Sequence, residues 1–227
     1  MSDALLTAWR QCLGAIDRVA DGRRIVLVAV GKTQPVAAIR TLAAAGQHHF
    51  GENYVQEALP KIAACADLAP TWHFIGPLQS NKCREVAQRF DWVQSVDRPK
   101  LVSALARHRP ASSPPLNVLV QVNIDDEASK SGCAPGEVEH LADTIAAEPR
   151  LCLRGLMAIP RPHPDPRNSR DSFAAMRALF DMLKTRHDRI DTLSIGMSDD
   201  FAEAIQAGAT MVRVGSALFG SRAPAIG

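Results

Sequence analysis

Near the start of the chain, six consecutive apolar and mostly β-branched residues run from Ile25 to Val30. An apolar run of this length is typical of a strand that is buried on both faces, as in a parallel sheet. Gly31 ends the run, Lys32 follows it, and Pro35 suits the first turn of a helix. The pattern therefore places Lys32 where a buried strand opens into a loop.

The same alternation of apolar strands and amphipathic helices continues along the chain. Strands are predicted at 25–30, 48–51, 71–75, 92–95, 116–123, 151–159, 193–196 and 211–214. Helices are predicted at 3–20, 36–45, 52–64, 81–90, 98–108, 135–147, 172–187 and 199–207. Because every connection is long enough for a parallel crossover, the pattern predicts an α/β fold, a (β/α)8 TIM barrel.

The helix count departs from a regular barrel at its end, because only residues 216–227 follow the last predicted strand. We expect the N-terminal helix to pack on the outside of the barrel in the place of the missing helix, and residues 1–227 to form a single domain. A doubly wound open sheet is the alternative. No G-x-G-x-x-G follows the first strand, and Gly31-Lys32-Thr33 lacks the upstream glycine of a P-loop.

Composition excludes several classes of protein. A net charge of +2 gives no electrostatic argument for nucleic-acid binding, and we expect no membrane segment and no signal peptide. The five cysteines never form a C-x-x-C pair, which argues against a zinc cluster and structural disulfides. The chain is therefore predicted to be cytoplasmic, with no metal site.

In a barrel of this kind the ligand site is built from loops at the carboxyl ends of the strands. Lys32 lies in the first such loop, where a partly desolvated amine can form an imine with an aldehyde. From this segment alone, a surface lysine with a solvated charge is the favoured interpretation. Ser198, Gly215 and Ser216 follow the last two strands, the recurrent phosphate site of the fold.

Three charged residues near the last loops affect this interpretation. Arg213 lies two residues before Gly215 and is expected to point the same way, toward either an ion pair or a polar ligand. Asp199 and Asp200 would repel a phosphate unless both point outward. Ser198 could also serve simply as a helix N-cap.

An imine-forming lysine, a phosphate cradle and an arginine together describe a site for an aldehyde that carries a phosphate. Pyridoxal 5′-phosphate (PLP) meets that description, and so does a phosphorylated sugar in a lysine-type aldolase. The two are distinguished by colour, because only a PLP protein is yellow.

Several stretches of the chain resemble the pyridoxal-phosphate homeostasis protein family. They are VAVGKTQP at 28–35, FGENYVQE at 50–57, WHFIGPLQSNK at 72–82, VNIDDEASKSG at 122–132, GLMAIP at 155–160, residues 193–220, and Arg222. The resemblance implies a fold-type III barrel with PLP held as an internal aldimine on Lys32. It also implies phosphate contacts at Ser198, Gly215 and Ser216, Asn53 near the cofactor, and Arg213 facing the pyridine nitrogen.

The chain departs from the family pattern at a few positions. Gly31 stands where a serine is usual, Gln34 stands where a basic residue is usual, and the tail after Gly220 reads SRAP. These changes bear on the rigidity of the loop around Lys32 rather than on the amine itself.

The resemblance implies a role in intracellular PLP homeostasis or carriage, with PLP-requiring apoenzymes as candidate recipients. A guanidinium can only donate hydrogen bonds, so the pyridine nitrogen stays unprotonated and the ring is a weaker electron sink. The alternative is a racemase-like enzyme, for which Tyr54 is the only tyrosine available as a base. Lys130 is a candidate second amine for cofactor handover, and His73 is expected near the mouth of the barrel.

Overall fold

The computed structural model describes residues 2–127, 130–161 and 169–220. Eight parallel strands pair in chain order, and the last pairs with the first to close a barrel. The strands are β1 Val26–Val30, β2 His49–Glu52, β3 Thr71–Phe74, β4 Trp92–Val96, β5 Leu116–Val122, β6 Leu151–Ala158, β7 Thr192–Ser194 and β8 Met211–Val214. The predicted (β/α)8 barrel is confirmed, and closure of β8 on β1 excludes the open doubly wound sheet.

Helices follow the strands around the outside of the barrel. They are α1 Ser2–Ala20, α2 Val36–Ala44, α3 Val55–Ala64, α4 Cys83–Arg89, α5 Pro99–His108, α6 Val138–Ala146, α7 Arg170–Lys184, α8 Phe201–Gln206 and α9 Ser216–Phe219. Short 3-10 helices lie at Ala66–Leu68, Ser80–Lys82 and Pro135–Glu137. Within the described ranges, no helix is long and apolar enough to cross a membrane.

The N-terminal helix occupies the place predicted for it. Helix α1 packs against α2, α8 and α9, and so completes the outer layer beside β1 and β8. The short helix α9 was not predicted, because four residues are too few to show a helical hydrophobic period.

Gln47 joins this helix to the barrel. Its Oε1 accepts a hydrogen bond from Trp9 Nε1 at 2.9 Å, and its Nε2 donates to the carbonyls of Leu27 and His49 at 2.7 Å each. The side chain is 5% exposed. One amide therefore connects α1, β1 and β2.

Apolar residues form two separate layers, one between the sheet and the helices and one inside the barrel. The larger layer is continuous around the outside of the strands. The inner cluster is much smaller and consists of Val28, Trp92, Leu119, Met157 and Met211. Alternation along each strand produces both layers, since successive side chains point to opposite faces.

Two element boundaries differ from the predictions in ways that affect the site. Helix α3 begins at Val55 rather than 52, because Tyr54 has an extended backbone. Helix α8 begins at Phe201 rather than 199, and Asp200 takes the N-cap position. The proline-rich loop at 160–166 lies mostly outside the described residues, as does Arg222.

We expect Gln47→Leu to lower the free energy of unfolding by about 2–4 kcal/mol. The indole N–H of Trp9 and the carbonyls of Leu27 and His49 would lose their hydrogen bonds to the Gln47 amide. Urea denaturation monitored by circular dichroism measures this change. Gln56→Leu is the matched control, since Gln56 is exposed on α3. Equal midpoints for the two variants would show that Gln47 does not tie α1 to the barrel.

Candidate functional site

A cavity of about 350 Å³ opens at the carboxyl ends of the strands. This cavity is lined by all six residues that were predicted from the sequence to bind a cofactor, namely Lys32, Asn53, Ser198, Arg213, Gly215 and Ser216. The sequence argument missed the apolar walls, which are formed by Val30, Ile75, Ile159 and Met197. Each of these four residues ends or directly follows a predicted strand. Their place at the carboxyl ends of the strands was the signal in the sequence that could have identified them.

Arg213 lies at the base of this cavity and is 4% exposed. Its Nη1 donates to the carbonyl of Ser194 at 2.7 Å and to Ser194 Oγ at 2.8 Å, and its Nη2 donates to the carbonyl of Ala158 at 2.9 Å. Among the described residues no carboxylate forms an ion pair with it, so neutral oxygens hold the charge. Burial lowers the pKa of Arg213 to about 10, against a smaller opposing effect of Asp200.

The guanidinium of Arg213 has N–H donors that its contacts with the described residues do not use. Three of its N–H groups are used by Ser194 and Ala158, and a guanidinium has five in a fixed plane. Within the described part of the chain, Nε and one Nη2 hydrogen have no acceptor. The sequence left an ion pair or a polar ligand open for Arg213, and the geometry favours the ligand.

Ser198 lies in a turn before α8, not at the helix N-terminus as predicted. Its Oγ accepts hydrogen bonds from the backbone N–H groups of Gly215 at 3.3 Å and Ala217 at 3.4 Å. Two N–H groups from the loop after β8 therefore converge on one point beside the cavity. Both bonds are long, so an anion with stronger acceptor oxygens could compete for these donors.

The two aspartates beside Ser198 are placed differently from each other. Asp200 Oδ1 accepts a hydrogen bond from the N–H of Met197 at 2.7 Å, and burial raises the pKa of this carboxyl group. Asp199 is exposed, although it borders the cavity. The carboxyl group of Asp200 therefore bonds within the turn before α8.

Lys32 is half-buried at the cavity rim, and in the described ranges its Nζ makes no hydrogen bond or ion pair. The loop that carries it is fixed by its backbone. Gln34 N donates to the carbonyl of Gly31 at 3.0 Å, and Thr33 N donates to Glu57 Oε2 at 2.9 Å. Thr33 has φ +63°, an unfavourable conformation for a β-branched residue, and the bond to Glu57 helps to hold it.

A buried ion pair supports this loop from below. Lys61 Nζ donates to Glu52 Oε1 at 2.8 Å and to the carbonyl of Gly31 at 2.7 Å. Glu52 is fully buried and Lys61 is 6% exposed. Burial raises the pKa of Glu52, and the neighbouring ammonium of Lys61 opposes that rise. The carbonyl adjacent to Lys32 is therefore anchored to α3.

Asn53 contributes a free acceptor to the cavity. Its Oδ1 is buried, and no described residue donates a hydrogen bond to it. The loop after β3 approaches this residue closely, since a Cβ on Gly76 would lie 2.2 Å from the carbonyl oxygen of Asn53. Glycine at position 76 is therefore needed to seat the backbone of Asn53.

Other residues singled out in the sequence lie outside the cavity lining. Tyr54 is 55% exposed, and His73 is fully buried inside the barrel rather than at its mouth. Lys130 Nζ pairs with Glu127 at 2.6 Å and donates to the carbonyl of Ile159, while Ser129 beside it lies outside the described residues. Gln34 lines a separate groove between α1, α2 and α9.

The chain is similar to known proteins over nearly its whole length. The family model described as "Alanine racemase, N-terminal domain" matches residues 6–223. The pyridoxal phosphate homeostasis protein of Pseudomonas aeruginosa is 54% identical over 202 residues, which cover 89% of this chain and 86% of the relative. The chain belongs to the pyridoxal phosphate homeostasis protein family. The Escherichia coli K12 protein of the family is 53% identical over 201 residues, or 87% and 86% of the two chains.

Solved structures extend the comparison with this family. PipY of Synechococcus elongatus with PLP bound is 35% identical, with a TM-score of 0.80, over 91% of this chain and 99% of that one. Lysine decarboxylase from Selenomonas ruminantium has a TM-score of 0.70 at 14% identity, over 96% of this chain and 61% of that one. The second likeness shows a shared barrel fold alone.

The departure from the family pattern at Gly31 has a structural explanation. A Cβ at this position would lie 2.7 Å from both Glu52 Oε1 and Ile39 Cδ1. Those two side chains fill the space that a serine side chain would use, so the loop around Lys32 is packed without it.

We expect Lys61→Met to lower the free energy of unfolding by about 3–5 kcal/mol at neutral pH, because it leaves the buried Glu52 carboxylate without its partner. Without Lys61, burial raises the pKa of Glu52 in the folded protein above its value in the unfolded chain. The free energy of unfolding then falls as the pH increases from the lower to the higher of these two pKa values. The deficit measured by urea denaturation should therefore be smaller at pH 5 than at pH 8.

The double variant Glu52→Gln/Lys61→Met is the control for this experiment. Because it removes both charges, it should recover most of the stability and should lose the pH dependence. A deficit in Lys61→Met that does not change with pH would contradict the assignment of an uncompensated Glu52 charge.

Proposed function

We propose that this protein binds PLP in the cavity at the barrel mouth, covalently through Lys32, and serves PLP homeostasis and carriage. The observation that carries the proposal is the buried Arg213, whose free N–H groups border a cavity that also holds the unpartnered amine of Lys32. An uncompensated buried cation calls for a polar acceptor. The names of the family members and the PLP-bound PipY structure support PLP as that acceptor.

Arg213 sets the electronic state of the ligand. With a pKa of about 10 it is cationic at neutral pH, and it can only donate. An aromatic nitrogen that faces it must accept and stay unprotonated. The apolar side chains of Val30, Ile75 and Ile159 provide walls against which an aromatic ring can pack.

The loops after β7 and β8 suit the phosphate group. The N–H groups of Gly215 and Ala217 already converge on Ser198 Oγ, and Ser216 adds a further N–H and hydroxyl to the cavity lining. A Cβ at Gly215 would meet Val30 at an ordinary 3.4 Å. Protein packing alone does not require glycine there, whereas close approach of a phosphate does.

PLP itself supplies an aldehyde for the lysine and a conjugated ring that can stabilise negative charge. This chain's own residues favour holding the cofactor over using it. Arg213 opposes protonation of the ring nitrogen, and Tyr54, the only tyrosine, is exposed and does not line the cavity. We therefore propose a carrier rather than a racemase.

We propose that residues 1–227 form a single domain, that the carrier acts in the cytoplasm, and that PLP-requiring apoenzymes are its recipients. All five cysteines are free thiols, as suits a reducing compartment. Cys12, Cys65, Cys83 and Cys133 are buried, and burial raises the pKa of each of these thiols. They are consequently poor competitors for an aldehyde.

We expect Lys32→Ala to abolish the visible absorbance of protein incubated with PLP and then desalted, because the covalent bond needs this amine. Borohydride reduction and peptide mapping of the wild-type protein should locate the modification on Lys32. Lys100→Ala is the matched control, since Lys100 is exposed on α5. A yellow Lys32→Ala variant, or a label on another lysine, would refute the assignment.

The racemase alternative is tested by exchange of the α-proton. In deuterated buffer with a panel of amino acids, we expect the PLP-loaded protein to promote exchange no faster than free PLP at the same concentration. Proton NMR of the α-position measures the rate. Substantially faster exchange of any amino acid would show turnover and replace the carrier proposal.

A further inference from the structure

A chain of hydrogen bonds crosses the interior of the barrel from Arg213 to the opposite end. Ser194 Oγ lies 2.8 Å from Arg213 Nη1 and 2.7 Å from Gln94 Oε1. Gln94 Nε2 lies 2.9 Å from His73 Nδ1, and His73 Nε2 lies 2.9 Å from His49 Nδ1. We refer to Ser194, Gln94, His73 and His49 as the relay.

The relay is buried along most of its length. Gln94, His73 and Ser194 are all fully buried, whereas His49 is half-buried at the start of β2. His73 stacks on Trp92 with ring centroids 5.2 Å apart and an interplanar angle of 17°. Its orientation is therefore fixed by packing as well as by hydrogen bonds.

The direction of every hydrogen bond follows from Arg213. A guanidinium only donates, so Ser194 Oγ accepts from Arg213 and gives its own proton to Gln94 Oε1. Gln94 then presents its Nε2, which donates to His73 Nδ1 and also lies 3.2 Å from Met211 Sδ. With Nδ1 accepting, the proton of His73 is on Nε2 and points at His49 Nδ1.

Both imidazoles suit this arrangement. Burial lowers the pKa of His73 well below its usual value, and burial, His48 and Arg24 lower the pKa of His49. Both rings are therefore neutral at pH 7, and each has one nitrogen that can accept. Reversing the Gln94 amide would leave the Ser194 hydroxyl proton without its acceptor.

We propose that the relay positions Arg213, so that its unused N–H groups face the cavity, and links it to His49 at the other end of the barrel. These four side chains are positioning residues, because they act on a ligand only through Arg213. The consequence for PLP rests on the function proposed above. The positioning of Arg213 by the relay does not depend on that function, so it is tested without cofactor.

The first experiment uses nitrogen-15 NMR of the full chain without PLP. Gln94→Leu breaks the relay at similar volume, and it should shift or broaden the Arg213 Nε–H resonance. Gln94→Glu offers only acceptors, so the proton of His73 should move from Nε2 to Nδ1, a change that a merely structural role would not produce. If Gln94→Leu left the Arg213 resonance unchanged, the proposal would be overturned.

Ser95→Ala is the matched control for these spectra. Ser95 is adjacent on β4 and 2% exposed, and its Oγ is buried with no hydrogen-bond partner in the described residues. It should leave the resonances of Arg213 and His73 in place. Should Gln94→Leu fail to fold, Ser194→Ala interrupts the relay next to Arg213 with a smaller change.

The second experiment measures PLP binding and the absorbance spectrum of the loaded protein. We expect Gln94→Leu to weaken PLP binding about tenfold and to shift the absorbance band, because one charge-assisted hydrogen bond is misdirected. Ser95→Ala should match the wild type. Unchanged affinity and spectrum in Gln94→Leu would overturn the link to PLP, whereas a failure of PLP to label Lys32 would overturn the proposed function and leave the NMR result to decide on the relay.

Discussion

The site depends on one guanidinium that is buried among neutral oxygens. Removing a charge from water is costly, and Arg213 recovers part of that cost from the carbonyls of Ser194 and Ala158, on strands β7 and β6. Those carbonyls are available because a closed parallel barrel brings strand ends to one rim. A ligand acceptor facing the remaining donors would complete the solvation of the charge.

The barrel could be predicted from the sequence because its local signals agree with one another. Apolar runs such as Ile25–Val30 alternate with helical stripes, and eight such units favour a closed barrel over a doubly wound sheet. The positions of Lys32, Arg213 and Gly215 followed from the rule that strands of a barrel present their carboxyl ends to ligands, whereas Asn53 was implied by the family resemblance.

What could not be predicted depends on contacts between distant segments. The sequence around Ser198 offers three residues that can cap a helix, and α8 begins only after the last of them, Asp200, whose side chain bonds to the N–H of Met197 rather than to the helix. The Glu52–Lys61 pair has no local signature, because it joins the outward face of a strand to a helix. The order of side chains in the relay depends on the stagger of the strands, which alternation alone does not specify.

The missing side chain at Gly31 has a consequence for how the sequence can change. Glu52 and Ile39 already occupy the space where a Cβ would stand, and the Glu52 carboxylate cannot retreat without leaving Lys61. A larger residue at position 31 would require the ends of the Ile39 and Glu52 side chains to shift. The tolerance of position 31 to substitution therefore depends on the residues at positions 39 and 52, so the effect of a mutation at this point of the Lys32 loop is epistatic.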